Sequence, residues 1–339
     1  SLLEQFFSSP RLVQAMQQHH LYLGYEGKER MEHAPFFYLI TYSTGVNILE
    51  SIYKTNPALA QRTSAHPTLY FLDYLFRIIP RGSITNSSPF FLLCTRFNGR
   101  LFIYSWFLAS LYHASKHNPS KIDFVNTFTA LIPNKHSAFA DTSCIHYLCI
   151  DEIGHQILSI IQKSFPAIIN KFTTVLLTHA GLDVGKIGGT TAIQVLSATK
   201  TGISLINQWL SDSEEFACAL TASDFAQSQN VEYLSLFDNL CKTDEGCAVL
   251  YQWLQFNPRL MEALTYENRV AINSLNNSAE GKRVFELLKE NGVVDRVLIE
   301  VEPRHTFFKA KPSFFENLNA QGVADPENKE DCSAKSMPQ

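Results

Sequence analysis

The sequence predicts an all-α fold, an α-solenoid in which pairs of helices recur along the chain. The main observation is a leucine followed six residues later by a glycine, a pattern that occurs six times. The leucines are Leu39, Leu93, Leu148, Leu196, Leu240 and Leu275, and the glycines are Gly45, Gly99, Gly154, Gly202, Gly246 and Gly281. A proline follows three of these glycines by twelve residues, as Pro57, Pro166 and Pro258. Self-similarity at periods of about 20–50 residues is typical of stacked repeats.

Each repeat is interpreted as two antiparallel helices joined by a turn. The first begins at a hydroxyl N-cap that proline often follows, as in Ser88-Pro89. The second carries an apolar stripe, such as Ile157, Leu158 and Ile161, that must be buried against neighbouring repeats. We expect the repeat leucines to be buried. We also expect the repeat glycines to form the turns, where a left-handed backbone favours glycine. Three or more of these glycines inside helices or strands would contradict the interpretation of the chain as a solenoid of ankyrin-like helix pairs.

The repeats divide the chain into four segments. Residues 1–33 are predicted to be a truncated or degenerate N-terminal repeat or cap, because residues 9–16 (SPRLVQAM) parallel residues 257–264 (NPRLMEAL). Residues 34–292 form the repeat array, interrupted by helical insertions over residues 64–86 and 118–140. Residues 293–321 are predicted to be a C-terminal cap that begins with a short extended segment after a helix C-cap at Asn291-Gly292. Residues 322–339 are rich in polar residues and predict a mobile tail.

Composition narrows the classes of partner. The formal net charge is −4, so no global positive field attracts nucleic acid or anionic lipid. The longest apolar stretch, residues 101–112, is too short for a membrane span, which needs about twenty residues. The seven cysteines include no C-x-x-C pair, so neither a disulfide framework nor a zinc site is expected. We therefore expect a cytoplasmic protein that has no metal, no cofactor and no nucleic-acid partner.

A cysteine-hydrolase site is the main catalytic alternative. Cys144 and His146 lie close in sequence to Asp151 and His155. Residues two apart on a helix point about 200° away from each other, so Cys144 and His146 cannot form a nucleophile–base pair directly. The base could instead be His113, His117 or His136. Cys94, Cys149 and Cys241 directly follow repeat leucines and are interpreted as packing positions.

The starts of four repeats resemble the Thr-Pro-Leu-His start of ankyrin repeats. They are Ala34-Pro35-Phe36-Phe37, Ser88-Pro89-Phe90-Phe91, Ser143-Cys144-Ile145-His146 and Thr191-Ala192-Ile193-Gln194. Gly188-Gly189-Thr190-Thr191 is similar to the Gly-x-Thr lead-in, and Gly154-His155 to the inter-helix Gly-His. The resemblance covers residues 34–292. It departs from the family in its longer, irregular periods and in about two extra residues before each glycine, which leaves a different helical-pair solenoid open.

The irregular, aromatic-rich units and the polar tail are similar to ankyrin effectors that intracellular bacteria inject into host cells. This resemblance implies a non-enzymatic protein that binds a host protein in the host cytoplasm through the concave face of its repeats. Two other functions stay open. One is a cysteine-dependent hydrolase or transferase whose catalytic part lies in the insertions or before residue 1, and the other is a purely architectural spacer.

Helix geometry predicts which residues would face the binding groove. If the repeat leucine faces the core, the residue before it and those two and three after it turn toward the groove or its rim. The predicted partner-binding residues are Tyr38, Thr41, Tyr42, Leu92, Arg96, Tyr147, Asp151, Lys242 and Thr243. Tyr and Arg are enriched in interface hot spots. The alternative is that the aromatic residues only pack against the next repeat.

Overall fold

The computed structural model describes residues 7, 9–16, 35–41, 44–59, 88–107, 142–164, 175–177, 189–228 and 234–299. Across these residues the regular elements are all helices and there is no β-strand, which confirms the predicted all-α class. None of the described helices is both long and apolar enough to cross a membrane. The two predicted insertions and the predicted polar tail lie outside the described residues.

Six helix pairs, each a short helix followed by a second helix, account for most of the described structure. After α1 (Pro10–Ala15), the pairs are α2 (Pro35–Thr41) with α3 (Gly45–Thr55), α4 (Pro89–Cys94) with α5 (Phe97–Phe102), α6 (Cys144–Leu148) with α7 (Glu152–Ser164), and α8 (Ala192–Leu196) with α9 (Lys200–Asp212). Two connecting helices follow, α10 (Glu214–Ala219) and α11 (Ala222–Ala226). The last pairs are α12 (Leu236–Leu240) with α13 (Asp244–Phe256) and α14 (Arg269–Ser274) with α15 (Ala279–Glu290), and α16 (Val293–Ile299) ends the described chain.

Shorter helical elements connect or extend these helices. A π-helical turn, Ile103–Phe107, continues α5. The 3₁₀ helices are Pro57–Leu59, Pro258–Ala263, Tyr266–Asn268 and Leu275–Asn277. Pro258 follows the end of α13 at Phe256, as predicted, because a proline cannot donate the next helical hydrogen bond.

The helix pairs contact one another in chain order. The second helices α3, α5, α7, α9, α13 and α15 each contact the next one in the series. Among the short helices, α4 contacts both α2 and α6, and α8 contacts α12. The six repeat leucines are at most 4% exposed, which confirms that they belong to the core. Each pair thus buries its apolar side chains partly against its neighbours, as stacked units do.

The repeat glycines are not in the turns, so their predicted role is wrong, and this finding counts against the ankyrin-like form of the predicted solenoid although the helix pairs are present. Each lies within a second helix: Gly45 is the first residue of α3, and the other five are the third residue of their helices. Only Gly189 and Gly292 have positive φ among the described glycines. A Cβ on any repeat glycine would overlap the carbonyl oxygen of the leucine six residues earlier. The glycine is therefore required by close contact between the two helices of a pair, and the turn itself consists of other residues.

The C-terminal end of the described chain also differs from the prediction. Gly292 has φ of +71° and ends α15, which confirms the predicted C-cap. The next residues form helix α16 and not an extended segment. Val293, Val294 and Val297 are buried, and α16 contacts α15 and α14. Burial of this apolar face against the last pair explains why these β-branched residues are helical here.

Candidate interaction surface

The turn between the two helices of a pair is held by a side-chain cap. Thr199, Thr243 and Ser278 accept hydrogen bonds from the backbone N–H of Gly202, Gly246 and Gly281 at 3.0–3.1 Å. Asp151 Oδ1 accepts the equivalent bond from Gly154 at 2.8 Å. Each capping residue precedes its glycine by three positions, which is the N-cap-to-N3 spacing of a helix start. The cap therefore sets the residue at which the second helix begins, and with it the place of the residues that follow.

In the second pair the N-cap residue of α5 is Arg96. Its side chain does not cap α5 but bonds to the first pair. Arg96 donates from Nη1 to Ile40 O at 3.2 Å and from Nη2 to Thr41 O at 2.6 Å. These are carbonyls at the C-terminal end of α2, where a cation is favourable because the helix dipole is negative there. Arg96 therefore joins two neighbouring units, and only part of its side chain faces solvent.

A buried ion pair joins the second and third units. Arg100 donates from Nε and Nη2 to Asp151 Oδ2, with the Nε distance 2.9 Å, and from Nη1 to Cys94 O at 2.6 Å. The Arg100 side chain is 6% exposed and that of Asp151 is 22% exposed. Because Asp151 also caps Gly154, its carboxylate fixes both the start of α7 and the contact with α5.

A buried histidine has the equivalent place between the third and fourth units. His155 follows Gly154 as Arg100 follows Gly99. Its Nε2 lies 2.9 Å from Cys149 O and its Nδ1 lies 2.7 Å from Thr201 Oγ1. Nε2 must donate to the carbonyl, so neutral His155 accepts from Thr201 at Nδ1. Burial lowers the pKa of His155, while the hydrogen bond to Cys149 and the carboxylates of Asp151 and Glu152 oppose that change.

The structure separates the predicted partner-binding residues into two groups. Leu92 and Tyr147 are buried, 6% and 5% exposed, so they do not face an open groove as expected. Tyr147 makes an edge contact with the ring of Phe91, and burial raises the pKa of its phenol to about 12. Phe91 belongs to the second unit, so Tyr147 of the third unit packs against the preceding repeat and not against the next one, as the alternative had it.

The remaining predicted residues are at least partly accessible where the structure describes them. Tyr38 is 44% exposed, and Lys242 and Thr243 are exposed in the fifth turn. Thr41, Arg96 and Asp151 are half-buried, and the last two are engaged in the contacts between units. Tyr42 lies outside the described residues.

Sequence reasoning missed a row of exposed residues at the start of the second helices. Two positions before the repeat glycine, directly after the N-cap position, the side chain is exposed in each of the five units in which that residue is described. We call this row the turn edge: Phe97, Glu152, Lys200, Asp244 and Ala279. Phe97 is 54% exposed although it is apolar, and the Lys200 side chain is 82% exposed. The recurring Ser/Thr/Asp-x-x-Gly spacing was the signal that could have located this row.

The described cysteines and histidines do not form an accessible catalytic site. Cys144 is buried, and His146 Nδ1 accepts from the backbone N–H of Ser143 at 3.1 Å within a capping box. Burial also raises the pKa of the Cys149 and Cys241 thiols, which disfavours the nucleophilic thiolate. The alternative bases His113, His117 and His136 lie outside the described residues. Within the described part of the chain, no three His, Cys, Asp or Glu residues are grouped as metal ligands.

The comparisons with known proteins add no family to these observations. No protein-family model matches the chain, and no curated protein or solved structure matches it significantly. The resemblance to ankyrin repeats therefore rests on the repeated sequence motifs.

Proposed function

We propose that this chain is a non-enzymatic protein-binding module, a solenoid of ankyrin-like helix pairs that presents variable side chains on a constant framework. Following the resemblance to secreted ankyrin effectors, we propose a host protein as the partner and the host cytoplasm as the place of action. The turn edge and the accessible residues beside it form the contact surface.

One observation carries this proposal: a position that is structurally constant carries a different side chain in each unit. The leucine, the glycine and, in four units, a capping residue recur. From the second unit to the sixth, the exposed residue after the cap is aromatic, acidic, basic, acidic and small. Folding does not require this variety, because the position is exposed in all five units in which it is described. Repeat proteins that bind partners combine a conserved framework with such variable positions.

The first two units supply the residue types that dominate protein interfaces. Arg96 links to the end of α2, the helix that carries exposed Tyr38, and Phe97 is the next residue in the chain. Aromatic and arginine side chains are enriched in hot spots, where truncation costs about 2 kcal/mol or more of binding free energy. Arg96 is pre-ordered by its carbonyl contacts, so less conformational entropy is lost on binding.

The test combines partner identification with variants of the turn edge. A partner that copurifies with the chain is mixed with it at defined ratios, and the stoichiometry is measured by size-exclusion chromatography with light scattering. We expect a complex of fixed stoichiometry that Phe97→Ala and Lys200→Glu each weaken about tenfold or more. Asn273→Ala, on the exposed face of α14, serves as the control. Unchanged affinity in Phe97→Ala, Lys200→Glu and Tyr38→Ala, with native circular dichroism, would exclude this surface.

A further inference from the structure

The chain has two Asn-Gly dipeptides, and the structure places them in opposite environments. Asn98-Gly99 lies inside α5, whereas Asn291-Gly292 lies at the end of α15, directly before α16. Asparagine is thermolabile because the backbone nitrogen of the next residue can attack its side-chain amide. Glycine hinders this attack least, since it has no side chain. The two sites therefore share their local chemistry and differ in their surroundings.

The Asn291-Gly292 site is open to water. Both residues are exposed, and Gly292 has φ of +71°. In the described structure no atom beyond its chain neighbours lies within 4 Å of the place that a Cβ on Gly292 would take. Asn291 Nδ2 donates to Leu287 O at 2.8 Å, and the Gly292 N–H donates to Lys289 O at 2.9 Å. Both bonds belong to the last turn of an exposed helix end, where opening costs least.

The Asn98-Gly99 site is held within a packed helix. Gly99 is buried as the third residue of α5, and a Cβ there would overlap Leu93 O, so the α5 backbone lies against α4. Attack on the Asn98 side chain requires the Gly99 nitrogen to rotate out of its helical position. That rotation separates α5 from α4 and so requires local unfolding of the core. Asn98 itself is exposed, so access of water does not distinguish the two sites.

We propose that Asn291 deamidates spontaneously in the folded chain and that this change weakens the attachment of α16. The backbone nitrogen of Gly292 attacks Asn291 Cγ. The new C–N bond closes a cyclic succinimide, the Cγ–Nδ2 bond breaks, and ammonia leaves with the proton of the Gly292 amide. Water then opens the ring at either carbonyl. The product is aspartate or isoaspartate, and the net reaction converts an amide and water into a carboxylate and ammonium.

Either product disturbs the end of α15. A carboxylate cannot donate to Leu287 O as the Asn291 amide does. It also places a negative charge beside Glu290, at the end of the helix where the dipole is already negative. In isoaspartate the chain continues through Cγ, which lengthens the backbone between α15 and α16.

The contacts of α16 depend on that connection. Arg296 donates from Nη2 to Met261 O and from Nη1 to Leu264 O, both at 2.9 Å. Its backbone N–H bonds to Gly292 O at 3.2 Å, and three valines of α16 are buried. A displaced connection shifts all these contacts together, so α16 should open more often after deamidation.

The first test incubates the full folded chain at body temperature and follows both sites by peptide mass spectrometry. We expect deamidation at Asn291, faster in mildly alkaline than in neutral buffer because the attacking amide must lose its proton. Asn98 should react at least about tenfold more slowly, because α5 must open first. In concentrated urea both sites should react. Asn291→Gln is the matched control, since it retains an amide but closes a ring much less readily.

The second test compares hydrogen exchange in the aged parent and in aged Asn291→Gln. We expect faster exchange over residues 293–299 in the aged parent alone, with unchanged exchange in α6. The absence of deamidation at Asn291, equal rates at Asn98 and Asn291 in the folded chain, or unchanged exchange in α16 after deamidation would each overturn the proposal. The site lies outside the turn edge, so its outcome is independent of the proposed binding function.

Discussion

At the scale of single residues, two neighbouring positions determine how the units fit together. The repeat glycine lets the second helix approach the backbone of the short helix, and the residue after it can reach the next unit. Arg100 and His155 occupy this second position and bond to Asp151 and Thr201. In the fifth unit this position is occupied by Cys247, which has a small, buried side chain. Its Sγ lies 3.8 Å from Cys241 O.

Gly202→Ala tests the close contact. The added Cβ would overlap Leu196 O and lie 2.8 Å from Thr199 Oγ1, so the helices must separate. Overpacking typically costs about 1–3 kcal/mol, and this backbone overlap should outweigh the gain of about 1 kcal/mol in helix propensity. We expect a lower free energy of unfolding in urea. Ser204→Ala, on the outer face of the same helix, should stay within about 0.5 kcal/mol of the parent. Equal stability of both variants would contradict the close-contact role.

His155 predicts a loss of stability on acidification. Its folded-state pKa is lowered by burial, so the unfolded chain takes up a proton first as pH falls below the ordinary histidine pKa of about 6.5. Above the ordinary histidine pKa, the free energy of unfolding does not depend on His155. As the pH falls from that value to the folded-state pKa, the free energy of unfolding decreases. Urea unfolding across this range should show a weaker pH dependence in His155→Gln than in the parent. Identical pH profiles would show that His155 does not couple stability to pH.

At the scale of the helix, the cap three residues before the glycine determines where the second helix begins. In the fifth unit Thr243 Oγ1 accepts from the backbone N–H of Gly246 at 3.0 Å. The backbone of Thr243 is itself extended, with φ of −134° and ψ of 154°, and Asp244 is the first residue of the helix. The preceding short helix ends within the same few residues. One side chain therefore ends the turn and starts α13.

Thr243→Ala should lower the free energy of unfolding by about 1 kcal/mol, because one N-terminal amide of α13 loses its acceptor. Thr243→Ser retains a hydroxyl and should preserve most of the stability. The measurement is urea denaturation of both variants followed by circular dichroism. If the alanine and serine variants are equally stable, the hydroxyl does not contribute as a cap.

At the scale of the whole described array, ion pairs and hydrogen bonds join consecutive units. The contacts differ from junction to junction. Arg96 bonds to carbonyls, Arg100 pairs with Asp151, His155 bonds to Thr201, and exposed Lys200 pairs with Glu245 at 3.0 Å. The buried Arg100–Asp151 pair should matter more than the exposed Lys200–Glu245 pair, because solvent screens charges at the surface.

Asp151→Ser isolates the buried ion pair from the cap. Serine retains a capping oxygen, as Ser278 caps Gly281, but it leaves the buried Arg100 guanidinium without a counter-charge. Breaking such a pair typically costs about 3–5 kcal/mol. We expect a loss in that range, which Arg100→Met combined with Asp151→Ser should partly restore. Glu245→Gln should change stability far less, because solvent screens the exposed Lys200–Glu245 pair. Equal effects of Asp151→Ser and Glu245→Gln would show that the junction is not held by the buried pair.

The helical class, the six leucine–glycine pairs and the burial of the leucines could be predicted from local patterns in the amino-acid sequence. A spacing of six residues between leucine and glycine is a local signal, and the apolar stripe of a helix can be read from its 3.6-residue period. Burial of the six leucines and the helix end at Gly292 followed from such local patterns.

The role of the glycines and the accessibility of the predicted site residues depend on contacts between helices and could not be predicted from those patterns. A glycine in a turn and a glycine at a close helix contact look the same in sequence, and only the position of Leu196 O near Gly202 separates them. Likewise Tyr38 and Tyr147 both precede a repeat leucine, but Tyr38 is 44% exposed and Tyr147 is 5% exposed. Their burial depends on side chains brought in from neighbouring units, and a local pattern carries no information about those long-range contacts.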